Sequence, residues 1–328
     1  MKTVFGPVPS RRLGRSLGID VIPAKTCTYD CLYCESGRTT HLTVRRQTFV
    51  EPDQVMHDLE DYFGSHPHGA DVLTFSSAGE PTLYEPLGCL IASIKRRFPD
   101  LPVVVLTNGS LLWDARVRQD LSAADRVVPS LDAVTPEIFQ RINRPHPHLD
   151  LSILLEGLEA FGHEYRGQLH LEVMLVSGIN DHSGELTAIR RVIDRLHPDR
   201  IELNTVVRPP AYADVRGLTG AEMEKALSFF PADRSQIIGR FQGSAPESQS
   251  ADLESRVLEL VERRPCTLAE MAASLGVPAE GLHATIQTLQ KENRLLRYLF
   301  NDLEYFCSRA RERDCLSAKS PCEKIMSG

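Results

Sequence analysis

The sequence predicts an α/β fold: six parallel strands alternating with helices and curving into a partial (βα)6 barrel, then a small C-terminal domain of different texture. Two observations carry the first part. Short apolar, β-branched runs recur at residues 17–22, 71–76, 102–107, 126–131, 168–176 and 201–207, and the segments between them have helical periodicity. Strands separated by crossovers of that length must run parallel, so that the loops after their carboxyl ends gather on one face. The third observation is the content of those loops. They hold cysteine, glycine, asparagine and aspartate, on the face where βα barrels keep their chemistry.

Taken in order, residues 6–18 (Gly-Pro-Val-Pro-Ser-Arg-Arg-Leu-Gly-Arg-Ser-Leu-Gly) are rich in turn formers and carry three arginines. They read either as a solvated loop or as a basic strap in which Arg11 and Arg12 grip phosphate or carboxylate. Residues 17–22 form the first strand, and the loop after it holds Cys27, Cys31 and Cys34 in C-x3-C-x2-C spacing. Three thiols at this spacing can converge on a cubane cluster, and with no fourth cysteine nearby one iron would lack a protein ligand. A zinc knuckle would want a fourth ligand and paired C-x2-C spacing. A disulfide staple belongs to exported proteins.

The spacing, with the aromatic Tyr33 just before the last cysteine, resembles the signature of the radical S-adenosylmethionine (radical SAM) superfamily. The resemblance implies a TIM-like partial barrel and a [4Fe-4S] cluster on Cys27, Cys31 and Cys34, with SAM on the unique iron. It also implies reductive cleavage of SAM to a 5′-deoxyadenosyl radical, which needs an electron donor such as a flavodoxin or ferredoxin. The run Pro-Ser-Arg-Arg-Leu-Gly-x-Ser-Leu-Gly-Ile-Asp before the cysteines further resembles a bacterial and archaeal group related to the tRNA wyosine-base synthases. That favours a tRNA base as substrate, with a small molecule or a peptide next.

Beyond the cysteines, residues 50–63 form an amphipathic helix, and the second strand enters Ser-Ala-Gly-Glu-Pro. By resemblance Gly79 and Glu80 receive the SAM ammonium group, although Ala78 replaces a glycine usual in the superfamily. Helices are expected at residues 87–98, 113–121, 136–142, 152–161, 183–196 and 218–230. The third strand ends in Asn108-Gly109, a turn by itself and a SAM-facing asparagine by resemblance. Ser130 and Asp132 follow the fourth strand, where they offer a hydroxyl and a carboxylate to ribose or substrate, or cap the helix at Pro136. In the fifth strand the resemblance places Val173 and its apolar neighbours against adenine. Asn180 and Asp181 cap the next helix. Asn204 and Arg208, around the end of the sixth strand, are candidate ligand contacts, and one of Arg141 and Arg144 is expected to reach the pocket while the other forms a salt bridge. The histidines at positions 57, 66, 68, 146, 148, 163, 170 and 197 have no ligand spacing and read as solvated surface.

Residues 1–238 are thus expected to form the catalytic core and 239–251, Gly- and Ser-rich, a linker. Residues 252–306 resemble a winged helix, three helices and a hairpin. From Asp252 to Glu304 six basic side chains face nine acidic ones, a net charge of −3, which argues for substrate docking or protein contact rather than DNA reading. A cluster-based redox or iron-sensing DNA-binding regulator is the alternative. The tail, 307–328, holds Cys307, Cys315 and Cys322, a loose set for a second metal or cluster or an inert end. With 328 residues, a net charge of −7 and no run of 18 apolar residues, the chain is expected to be cytoplasmic, with no membrane partner.

Overall fold

The computed structural model describes residues 3–10, 13–76, 78–238 and 253–311. Eight strands form the main sheet, in the order β1 (Val4–Ser10), β2 (Gly14–Ile19), β5 (Val72–Phe75), β6 (Val103–Thr107), β7 (Arg126–Pro129), β8 (Gln168–Leu175), β9 (Arg200–Thr205) and β10 (Ser235–Ile237). Two short strands, β3 (Thr26–Cys27) and β4 (His41–Leu42), pair separately within the cysteine loop. Every neighbouring pair from β2 to β10 is parallel, and the six strands expected from the sequence are β2 and β5 to β9.

Two strands have no clear signal in the sequence. The prolines of Val4–Ser10 suggest a loop or strap, yet the segment pairs antiparallel with β2, with a register irregularity between Phe5 and Val8. Proline is tolerated there because β1 is an edge strand, where a missing N–H breaks no ladder. Phe5 lies over Gly18, and a Cβ at Gly18 would fall 2.1 Å from the ring. β10 has three residues, too few to show a period.

Helices α1 (Pro52–Ser65), α2 (Leu87–Arg97), α3 (Ala115–Leu121), α4 (Pro136–Ile142), α5 (Leu151–Glu164), α6 (Ser183–Leu196) and α7 (Gly220–Leu227) fill the crossovers. Strand alternation sorts the residues: Leu17, Ile19, Leu73, Phe75, Val103 and Val105 are fully buried in the main core with helix residues such as Val55, Leu90 and Ile94. Their neighbours Ser16, Gly18, Thr74, Leu106 and Val128 line the concave side. Helix α6 starts on His182, whose Nδ1 accepts from the Glu185 N–H. The expected caps Asn180 and Asp181 do other work: Asn180 is buried and bonds Val176 N, Met174 O and Asp132 O, and Asp181 accepts from Gly178 N.

The C-terminal segment contains α8 (Leu253–Arg263), α9 (Leu268–Leu275), α10 (Ala279–Lys291) and the hairpin β11 (Leu295–Phe300) and β12 (Leu303–Ser308). This is the element order expected for a winged helix. It has its own core of Val257, Val261, Met271, Leu282, Leu289 and Phe306. A capping box of Thr267 and Glu270 opens α9, and Gly276, left-handed at φ 66°, closes it. The expected linker 239–251, the tail cysteines Cys315 and Cys322, and the arginines Arg11 and Arg12 lie outside the described residues; Cys307 is buried in β12.

Candidate active site

The cysteine loop leaves β2 and returns over the carboxyl ends of the strands. Its path is fixed by close backbone packing. Glu80 N donates to Thr26 O at 3.2 Å, and a Cβ on Gly79 would lie 2.1 Å from that same carbonyl. Gly79 is therefore required by the approach of two loops. Glu80 is buried and stitches them together: its Oε1 accepts from Thr82 N (3.0 Å), Thr82 Oγ1 (2.6 Å) and Thr107 Oγ1 (2.6 Å), its Oε2 from Asn108 N (2.8 Å). Burial pushes its pKa up, and these four donors pull it back.

Asp132 plays the same part on the other side. It accepts from Tyr33 Oη, from Asn143 Nδ2 at 2.7 Å and from Met174 N at 3.0 Å, tying the cysteine loop to β7 and β8. Burial outweighs these bonds and raises its pKa to about 6. Two amides then reach the thiols: Asn108 Nδ2 donates to Cys27 Sγ and Asn143 Nδ2 to Cys31 Sγ, each at 3.6 Å. Nothing in the local sequence marks Asn143, which sits one residue after α4.

Cys27, Cys31 and Cys34 are all half-buried thiols outside any disulfide. Burial, then the charges of Glu80 and Cys34, pushes the Cys27 thiol up to about 12. Cys31 is raised by burial, then by Asp132 and the other two cysteines. Thiols such as Cys27 and Cys31, whose ionisation is opposed by burial and by neighbouring carboxylates, are held as thiolates when a metal supplies positive charge. Among the described residues no three His, Cys, Asp or Glu side chains are set around a single ion. The donor set, all sulfur and with amide N–H groups on two of the atoms, fits an iron–sulfur cluster, whose ligands bind separate irons.

Beside the loop the concave face of the sheet lines a half-open cavity of about 410 Å³. Tyr33, Cys34, Ser130 and Asn204 are on its wall, with Ser16, Thr74, Glu172 and Met174. A smaller cavity of about 30 Å³ is lined by Asn108, Ser130 and Asp132. Gly79 and Glu80 line neither. Val173, expected against adenine, is fully buried in the main core, because the period of two places Glu172 and Met174 on the cavity side and Val173 on the other. The expectation for His170 is also corrected: it is buried on β8, its Nδ1 3.0 Å from Glu202 Oε1. Arg208 lines the cavity, yet its guanidinium is 9% exposed and is held by Glu35 and Glu270. Arg144 pairs with Asp30 at 3.3 Å, and Arg141 is exposed.

A parallel βα sheet with three cysteines on the loop after its first parallel strand, opening on the cavity, defines an iron–sulfur βα-barrel class. The chain belongs to the radical SAM superfamily, whose sequence model matches residues 21–188. Within it, the chain is 32% identical to UPF0026 protein MJ1312 of Methanocaldococcus jannaschii, over 96% of this chain and 98% of that one. A Brachyspira hyodysenteriae protein named GTPase Obg is 35% identical over 92% of this chain, which spans only 44% of that longer protein. Among solved structures, that of TYW1 with a lysine-pyruvate adduct bound shares the fold, with a TM-score of 0.50 and 19% identity over 65% of this chain and 72% of the other. Among the described residues no helix is long and apolar enough to cross a membrane.

Proposed function

We propose that the protein reductively cleaves SAM on a [4Fe-4S] cluster and abstracts hydrogen from a small organic substrate held in the barrel cavity. The observation that carries this reading is the placement of three thiols of one loop, with Cys34 on the cavity wall, at the carboxyl ends of parallel strands. The bound group would supply a one-electron cleavage of SAM and a carbon radical. Cys27, Cys31 and Cys34 would hold it, and the Asn108 and Asn143 amides would stabilise charge on two of the sulfurs. Tyr33, Ser130 and Asn204, on the cavity wall, are the residues placed to meet SAM or substrate. Gly79, Glu80 and Asp132 serve as struts that aim the loop.

The small substrate is preferred over a tRNA base for a physical reason. A polyanion needs unneutralised cations, whereas among the described residues the three arginines that line the cavity, Arg208, Arg263 and Arg264, are each paired with a carboxylate. The reductant would be an external donor of flavodoxin or ferredoxin type. Anaerobically reconstituted protein with dithionite should release 5′-deoxyadenosine from SAM. An intact cluster without release would refute the enzyme reading, and an operator shift sensitive to cluster loss would put the regulator in its place.

A further inference from the structure

The sheet is open: β1 and β2 stand at one end of the strand order and β9 and β10 at the other. The C-terminal helices and hairpin meet both ends. At the first, Arg263 of α8 donates from Nη1 to Asp20 Oδ2 at 2.5 Å, just beyond β2, and its guanidinium lies 3.7 Å from the Phe5 ring centre. At the second, Tyr305 Oη donates to Val207 O at 2.9 Å, and Glu270 of α9 accepts from Arg208 Nη2 at 2.7 Å. Leu260, Arg263 and Arg264 consequently line the same cavity as Cys34 and Glu172. Arg208 also donates from Nη1 to Glu35 Oε2 at 2.8 Å, and Glu35 is the residue after Cys34. Burial opposes its charge, but the two glutamates outweigh that and raise its pKa.

We propose that the C-terminal helices are the missing wall of the barrel cavity, and that Arg208 is the positioning residue that ties this wall to the cysteine loop. The proposal rests on the cavity being the substrate site, as the proposed function has it. It turns a module that resembles a nucleic-acid reader into part of the enclosure in which a radical is kept from solvent. The chemistry of Arg208 suits such a tie, because a guanidinium fork bridging two carboxylates fixes both in one geometry, which a point charge would not.

The test uses metal-free protein and no SAM, so it is independent of whether SAM is cleaved. Alkylation by a bulky maleimide is followed at each cysteine by peptide mass spectrometry. Exposed Cys89 serves as the reference and Cys266, buried in the module, reports whether the module stays folded. Arg208→Met leaves Glu35 and Glu270 facing each other, and the cysteine loop should then react at least tenfold faster relative to Cys89 while Cys266 stays protected. Losing a nearby cation disfavours thiolates, so acceleration reports access. Adding Glu270→Gln, which removes the repulsion, should restore part of the protection. If Cys266 is also labelled, Arg263→Gln, which releases the opposite edge, gives the deciding rate. Loop rates unchanged in Arg208→Met with a folded module, or in Arg263→Gln, overturn the proposal.

Discussion

Replacing Glu80 by glutamine separates two roles that the sequence could not distinguish, a ligand for the SAM ammonium group and a strut for the loops. Four donors converge on its carboxylate, three on Oε1 and one on Oε2. The amide would turn its Nε2 toward the side with one donor, losing that bond and setting two N–H groups against each other at Asn108. A backbone N–H cannot rotate away, so the cost is about 2 kcal/mol. Glu80→Ala strands all four donors and leaves a void, at about 4 kcal/mol or more. Equilibrium denaturation of the metal-free protein, with SAM affinity of the reconstituted protein measured alongside, reads both roles. The strut predicts lost stability with SAM affinity within a few-fold. Unchanged stability with SAM affinity at least tenfold weaker in Glu80→Gln would refute the reasoning and restore the ammonium contact.

Gly79→Ala should destabilise by about 3 kcal/mol, because the new Cβ meets a backbone carbonyl beside Cys27 that has no slack, and iron content after reconstitution should fall with it; normal melting would contradict this. Cys31→Ala should abolish the brown cluster absorption, and full cluster content in that variant would mean the ligands are misassigned. Asp132 gives a pH dependence: its folded pKa, raised to about 6, lies above the unfolded value of about 4, so in this range the folded state binds the proton more tightly. Stability of the metal-free protein should therefore rise as pH falls through 6 and level off below the unfolded value, a gain of at most about 3 kcal/mol. Denaturation midpoints across pH 4–8 should lose this rise in Asp132→Asn; a slope that persists there would assign it to another group.

Much of the frame was legible in the chain itself. Apolar runs of six to nine residues alternating with helical periodicity are local signals, so the parallel order of β2 and β5 to β9 and the position of the cysteine loop follow from sequence. The C-x3-C-x2-C spacing is likewise local, since a loop that short must bring its thiols together whatever surrounds it. What lay beyond the sequence is what depends on distant partners. Proline hid β1, because only its place at the sheet edge makes a missing N–H harmless. Side-chain direction decided that Val173 enters the core while Glu172 faces the cavity, and burial paired His170 with Glu202. Glu80 and Asp132 were visible as acidic residues after strands, but whether such a carboxylate meets a ligand or takes up backbone donors depends on neighbouring loops. Arg208 shows the limit most clearly, for its partners lie 173 and 62 residues away. By itself the sequence determined the six parallel strands, the thiol loop and the chemistry those thiols suit. The tertiary structure alone decided which polar groups face the cavity and which are spent holding it shut, because burial and charge pairing are properties of the packed chain.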